Sequence, residues 1–441
     1  MSKLLDNKNQ RKRGESMNRI RQLWDYASKV YGLDRFLRRY RDSRVKPRIP
    51  SSVIISLLLA GIAGRVGSLY QLERMGKNGE LDGAVRFRKK PSADTIGYAL
   101  CHRDLRALMA YNAEIIQKAR RNKVHSNGTI CGWRVCAVDG TEPHQTKRPC
   151  KKALAWAKRR RSNGEEEYYE RAVAISYIGQ EPRLLITMMR IMPGESEVEA
   201  ALRAIHHAYQ QNWRYCDIIC ADALYAQAPF INAVVDQNKD VVVKVKREEL
   251  HIVRDMKGLI AKRGPDVSLY GVTPKGEPVS TGHGVSYDIK LWDEEGLTSW
   301  EQVRVPLRCV LVRETKKVTR RGEVIEEVES EYYIVTTVPK ALMKPEVLWQ
   351  IVHRRWDIEN SVFCDLKMNW EFGHCYAHDV RAIEAIYALY CIAVNLMLLF
   401  AYRHLKDAPK RGVTLTELAR QILVGLAALR TALPIPMCRS G

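Results

Sequence analysis

Three stretches of this chain carry residue types that could do chemistry together. The first, HRRWDIENSVFCDLKMNW over 353–370, sets Arg355, Glu359 and Phe363 at successive steps of four, with Lys367 four further on. Read as one helix, that spacing puts a guanidinium, a carboxylate and an ammonium on a single stripe. The second, WRVCAVDG (133–140), ends an apolar strand on Asp139 and a glycine, and the third, CDIICAD (216–222), ends another on Asp222. A carboxylate where a sheet strand stops stands on rigid scaffold and faces a cleft. Singly, each has an ordinary explanation. An Arg–Glu pair on a solvated helix is worth a few tenths of a kcal/mol, and strand–Asp–Gly is a common turn signal. Together, three converging carboxylates repel unless a cation lies between them, and hard oxygen ligands select Mg2+ or Mn2+. Two such ions about 3.5–4 Å apart stabilise the attacking and leaving oxygens of an in-line phosphoryl displacement. Arg355 and Lys367 would then hold flanking phosphates.

The elements that must position these residues change character along the chain. Residues 1–125 read as an all-helical, basic domain: Ile20, Leu23, Trp24, Ala27, Val30 and Tyr31 recur at steps of three and four, and Ser92 opens a further helical run. From 126 to 247 three β-rich runs, a helix, a strand, a helix and the strand VVVKVK give a mixed α/β sheet. Residues 248–340 are rich in Gly and Pro and read as a β subdomain with no helix of its own. The helix carrying Glu359 and a long apolar helix fill 341–405, followed by a basic tail over 406–441.

Composition narrows the partner. The chain has 441 residues, 72 Lys and Arg against 50 Asp and Glu, and a net charge of +22. Such an excess suits a polyanion, because neutralising phosphates releases condensed counterions. The polar N-terminus carries no secretory signal. The apolar run at 386–402 is interrupted by Asn395 and reads as a buried core helix rather than a membrane span. Eleven cysteines without a CxxC pair read as reduced thiols of a cytosolic protein, not a zinc site. The segment KRPCKKALAWAKRRR (147–161) holds eight basic residues and no acid. Lys158, Arg159, Arg160 and Arg161 would grip a DNA backbone there and Trp156 would stack on bases, with Glu165, Glu166 and Glu167 pairing with the segment when DNA is absent. Glu195, Glu197 and Glu199 are rival carboxylates, but they open a helix whose dipole accounts for them. His144 reads as a polar loop residue.

WRVCAVDGTE, IICADALYAQAPFI and HRRWDIENSVFCDLK resemble the three acidic motifs of DDE-type insertion-sequence transposases, the last resembling the signature Y-x-x-R-x-x-x-E-x-x-x-x-x-x-K. The resemblance covers roughly residues 130–400. It implies an RNase H-like core with Asp139, Asp222 and Glu359 as catalytic, metal-binding triad, two Mg2+ or Mn2+ ions, and a β-rich insertion between the second Asp and the Glu. It also implies double-stranded DNA as partner, a homodimer or larger synaptic assembly, no membrane, and a nucleoid-associated, cytoplasmic protein. The expected activity is cleavage at transposon ends and joining of the 3′-OH to target DNA. A metal-dependent nuclease without strand transfer and a non-catalytic DNA-binding relative are the rival readings. Two positions depart from the signature: Val352 stands at its Tyr, and Leu366 at its Lys, with Lys367 one residue later.

Overall fold

The computed structural model describes residues 19–81, 89–147, 156–275 and 283–428. Its N-terminal part is helical: α1 (Leu33–Arg39), α2 (Ser51–Ala63), α3 (Leu69–Lys77), α4 (Ala93–Cys101) and α5 (Leu105–Arg121). Side chains of Ser68, Ser92 and Asp104 cap α3, α4 and α5 by accepting backbone N–H bonds from the first turn. The run after Ser92, read from sequence as one helix, breaks at His102, so α4 and α5 are separate. Every residue of α2 is buried, as a helix apolar on all sides must be.

Ten strands follow among the described residues: β1 (Val135–Thr146), β2 (Ala157–Arg160), β3 (Glu166–Tyr177), β4 (Leu185–Arg190), β5 (Ile218–Ala221), β6 (Asp240–Val245), β7 (Val267–Val272), β8 (His283–Leu297), β9 (Leu307–Arg320) and β10 (Glu323–Thr336). They form one mixed sheet in the order β2-β3-β1-β5-β6-β10-β9-β8-β7, with β4 on β3. β1, β5 and β6 are parallel neighbours, and the other pairings are antiparallel. The residues of β5 are all buried, as a central parallel strand requires. The β-rich stretch after residue 248 joins the first part of the sheet through β10 against β6, so its strands extend the same sheet. It also contains α8 (His251–Ile260), against the expectation of no helix. The apolar positions Ile252, Val253 and Met256 recur at helical spacing and are buried. Helices α6 (Glu197–Gln211) and α7 (Ala228–Val235) lie between β4, β5 and β6 in sequence.

Beyond β10 come α9 (Pro345–Arg355), a π-helical turn (Ile358–Phe363), α10 (Cys364–Asn369), α11 (Val380–Leu399) and α12 (Leu415–Ala428). The described part of the 406–441 tail therefore contains a helix, which packs on α2. Helix α11 is the hub, with α2, α4, α5 and β4 packed around it. With its π-helical extension to His404 it is long and apolar enough to cross a membrane, yet 94% of its most apolar window is buried in the protein. Asn395, the polar break in that run, is fully used. Its amide donates to Asn112 Oδ1 at 2.9 Å and Leu185 O at 2.8 Å, and its oxygen accepts from Leu185 N at 2.8 Å. One buried polar knot thus pins α11 to α5 and β4. A single hydrophobic core runs from Ile20 to Leu426.

Candidate active site

Asp139 does not end its strand: β1 continues to Thr146. What ends is the pairing on one side. β5 runs beside β1 only through Ala137↔Cys220, while Asp139 remains paired with Ala174 of β3 on the other side. The short β5 therefore opens a cleft beside Asp139, and Asp222 stands at the mouth where β5 stops. Asp222 caps a 3-10 turn (Ala223–Tyr225), its Oδ1 accepting from Leu224 N at 2.8 Å. Asp139, Asp222 and Glu359 all line one cavity of about 780 Å³. Arg171, Glu197, Lys244, Lys246, Arg355 and Lys367 line it with them.

Glu359 is not on a regular α-helix. Helix α9 ends at Arg355, and residues 358–363 form a π-helical turn before α10. A π turn takes one residue more than an α turn. That extra residue accounts for the departure seen in sequence. Leu366, at the position where the signature has lysine, is turned inward and only 1% exposed, while Lys367 is exposed and lines the cavity. Val352, in place of the signature tyrosine, also lines it.

The electrostatics centre on Arg355, which is 6% exposed. Its Nη1 lies 2.9 Å from Asp139 Oδ2 and 2.8 Å from Glu359 Oε1. Its guanidinium also sits 4.7 Å from the centre of the Trp356 ring, a cation–π geometry. Burial raises the pKa of Asp139 and outweighs the opposing pull of Arg355, and Glu359 beside it raises it further. Arg355 therefore compensates two acids only in part. Among the described residues no three His, Cys, Asp or Glu side chains form a ready-made metal cage. The donors around the arginine are carboxylate oxygens, the class that suits Mg2+ or Mn2+.

Glu197, set aside in sequence as a helix-opening acid, faces this cavity. Its Oε1 accepts from Tyr225 Oη at 2.9 Å and its Oε2 from Arg171 at 3.2 Å. The carboxylate lies so close to β1 that a Cβ on Gly140 would fall inside it. Glu197 thus ties the strand of Asp139, the strand of Arg171 and the turn of Asp222 to one point. Lys244 and Lys246 were also missed. Their signal was present in VVVKVK: two lysines two apart share one face of an otherwise apolar strand. Lys244 lies 3.6 Å from the centre of the Tyr332 ring, and burial lowers its pKa.

The basic segment departs from its base-stacking reading at Trp156, while its charges pair with Glu165, Glu166 and Glu167 as expected. Residues 148–155 lie outside the described residues. Trp156 is 4% exposed, its indole N–H donating to His378 O at 3.3 Å and its ring stacked on His378; a ring held in this way cannot stack on bases. Residues 157–160 form strand β2. Lys158 pairs with Glu166 at 2.5 Å, Arg159 with Glu167 and Glu142 at 2.8 Å, Arg161 with Glu167, and Lys147 with Glu165 at 2.8 Å. Arg160 donates to Gly164 O. His144 is not in a loop but within β1, buried against Phe372 and Tyr387. Burial pushes its pKa down to about 4, so it stays neutral at pH 7.

Residues 132–396 match the family described as the transposase DDE domain. A search of curated proteins found no match.

Proposed function

The chain belongs to the DDE transposase family, and from that premise we propose that it cuts DNA at the ends of its element and joins the freed 3′-OH to target DNA. The observation that carries this reading is the convergence of Asp139, Asp222 and Glu359 on one cavity that also presents Arg171, Lys244, Lys246, Arg355 and Lys367. Acids and bases together in one cleft match a substrate that brings both phosphate charge and a need for cations. The sheet order supports an RNase H-like core. β4, β3 and β1 form an antiparallel run that switches to the parallel pairs β1–β5 and β5–β6, and two of the three acids stand near that switch.

The donor set fits divalent cations: Asp139 and Glu359 already share one positive charge, and the partial compensation of Asp139 leaves room for more. When bound, two Mg2+ or Mn2+ ions would activate the nucleophile and neutralise the leaving oxygen. Asp139, Asp222 and Glu359 would hold them. Lys244, Lys246 and Lys367 would bind phosphates flanking the scissile bond, and Glu197 would keep Asp139 and Asp222 in register. Water and the 3′-OH are equivalent nucleophiles in such a site, so one cavity serves cleavage and joining. The helical segment before residue 125 and the β2–β3 hairpin would bind the element's ends, with two copies holding two ends.

Purified protein incubated with a labelled duplex bearing the element's terminal sequence tests this reading. Nicking and joined products that require Mg2+ or Mn2+, and vanish in Asp222→Ala, are expected. Nicking without joining would favour a nuclease. Salt-sensitive binding with no cleavage in either metal would overturn the catalytic reading.

A further inference from the structure

We propose that Arg355 is a resident counter-cation whose place a metal ion must take, so that metal uptake at Asp139 and Glu359 waits for DNA. The inference rests on the metal-dependent reading above and concerns the order of assembly at that site. A single nitrogen, Nη1, bridges Asp139 Oδ2 and Glu359 Oε1 at 2.9 and 2.8 Å. A divalent ion held by the same two oxygens at about 2.0–2.2 Å would need the space this nitrogen fills. The two are mutually exclusive. An ammonium can vacate a site by losing its proton, but a guanidinium cannot. Arg355 therefore has to move.

Moving costs a buried cation two charge-assisted hydrogen bonds, so it needs an anion elsewhere. The cavity of about 780 Å³ offers room, and Trp356 offers a ring along which the guanidinium can lie. The other acids of the wall already have partners, Glu142 among them through Arg159 at 2.8 Å. Glu197 is held by Tyr225 and Arg171, and Asp222 is engaged by the backbone of its own turn. A DNA backbone phosphate entering the cavity meets the guanidinium's planar fork with two acceptor oxygens and can draw it away from Asp139 and Glu359. In free protein the guanidinium thus suppresses metal binding, and with DNA present it becomes a phosphate ligand. Linkage makes the effect reciprocal, since metal must then favour DNA by the same factor.

The experiment measures Mn2+ affinity by electron paramagnetic resonance on the full chain, with and without duplex DNA. The set comprises the unaltered protein, Arg355→Gln, Arg355→Lys and Lys246→Gln. Lys246 lines the same cavity, so Lys246→Gln removes one positive charge without clearing the space between the two acids. Without DNA, Arg355→Gln is expected to bind Mn2+ at least about tenfold more tightly than the unaltered protein, within the usual range of coupling effects. Lys246→Gln should gain no more than about threefold. DNA should tighten Mn2+ binding more in the unaltered protein than in Arg355→Gln. Arg355→Lys, whose ammonium lacks the planar fork, should fall between, and it supplies the comparison if Arg355→Gln does not fold. Equal DNA-free affinities for Arg355→Gln and the unaltered protein, or equal gains for the Arg355 and Lys246 variants, would overturn the inference alone. No Mn2+ binding by any form, with or without DNA, would overturn the metal-dependent reading and this inference with it.

Discussion

Three buried arginines in this molecule use their charge in two different ways. Arg308 on β9 meets Asp293 on β8 with two parallel bonds of 2.8 Å, and its remaining nitrogen donates to Val338 O and Met343 O. Arg190 and Glu170 form a similar closed fork, both bonds 2.6 Å. In each, two nitrogens of one guanidinium meet both oxygens of one carboxylate. Arg355 instead spreads one nitrogen over two acids in the wall of an open cavity. A filled fork fixes structure, whereas a divided one leaves negative charge unanswered. On the proposed reading, the difference separates a scaffold ion pair from a site that takes another cation.

The largest expected effect that tests this contrast is on chemistry. Asp139→Ala or Asp222→Ala should lower cleavage of a terminal duplex by about a thousandfold or more, equivalent to roughly 4 kcal/mol of barrier, while gel-shift affinity for that duplex stays within about twofold. Next comes stability. Arg308→Gln leaves the buried Asp293 with the longer Lys340 contact at 3.9 Å and should cost about 3–5 kcal/mol, measured by urea unfolding. Arg355→Gln should cost less, about 1–3 kcal/mol, because it strands the buried Asp139 while the Glu359 side chain is 36% exposed and water can answer its charge. Equal losses would erase the distinction between the two arginines.

His144 adds a pH axis. Its pKa is about 4 in the folded chain against about 6.5 unfolded. Between those values the unfolded chain binds more protons, so the contribution of a neutral His144 is whole above pH 6.5 and is lost as pH falls toward 4. The loss amounts to at most about 3 kcal/mol. Unfolding of His144→Gln should show a correspondingly flatter acid limb than that of the unaltered protein; identical limbs would remove His144 from the account. The smallest effect is at Gly140. A Cβ there displaces only the end of the Glu197 side chain, so Gly140→Ala should fold with little change in melting temperature. Cleavage should fall about tenfold, roughly 1.4 kcal/mol. Glu197→Ala should match it, and the double variant should be no worse than either, since both break one contact.

Much of this arrangement is legible in the sequence because strands and periodic helices write their burial into residue spacing. The apolar strands ahead of Asp139 and Asp222, the buried helix around Asn395 and the β-rich run after residue 248 all follow from that. The rest depends on contacts between distant segments. Nothing local to PGESEVEA says that Glu197 reaches Gly140. The π-helical turn that brings Lys367 to the cavity has no simple periodic signature, so Leu366 and Lys367 look displaced until the turn is seen. Trp156 among lysines and arginines reads as exposed, because composition cannot reveal that His378 covers it.

The most direct test is a crystal structure of the protein with a terminal duplex and Mn2+, using anomalous scattering to locate the metal. The account predicts Mn2+ within about 2.0–2.2 Å of carboxylate oxygens of Asp139, Asp222 and Glu359, with the Arg355 guanidinium moved onto a backbone phosphate. Mn2+ bound elsewhere, or Arg355 still bridging Asp139 and Glu359 with DNA in the cavity, would contradict it.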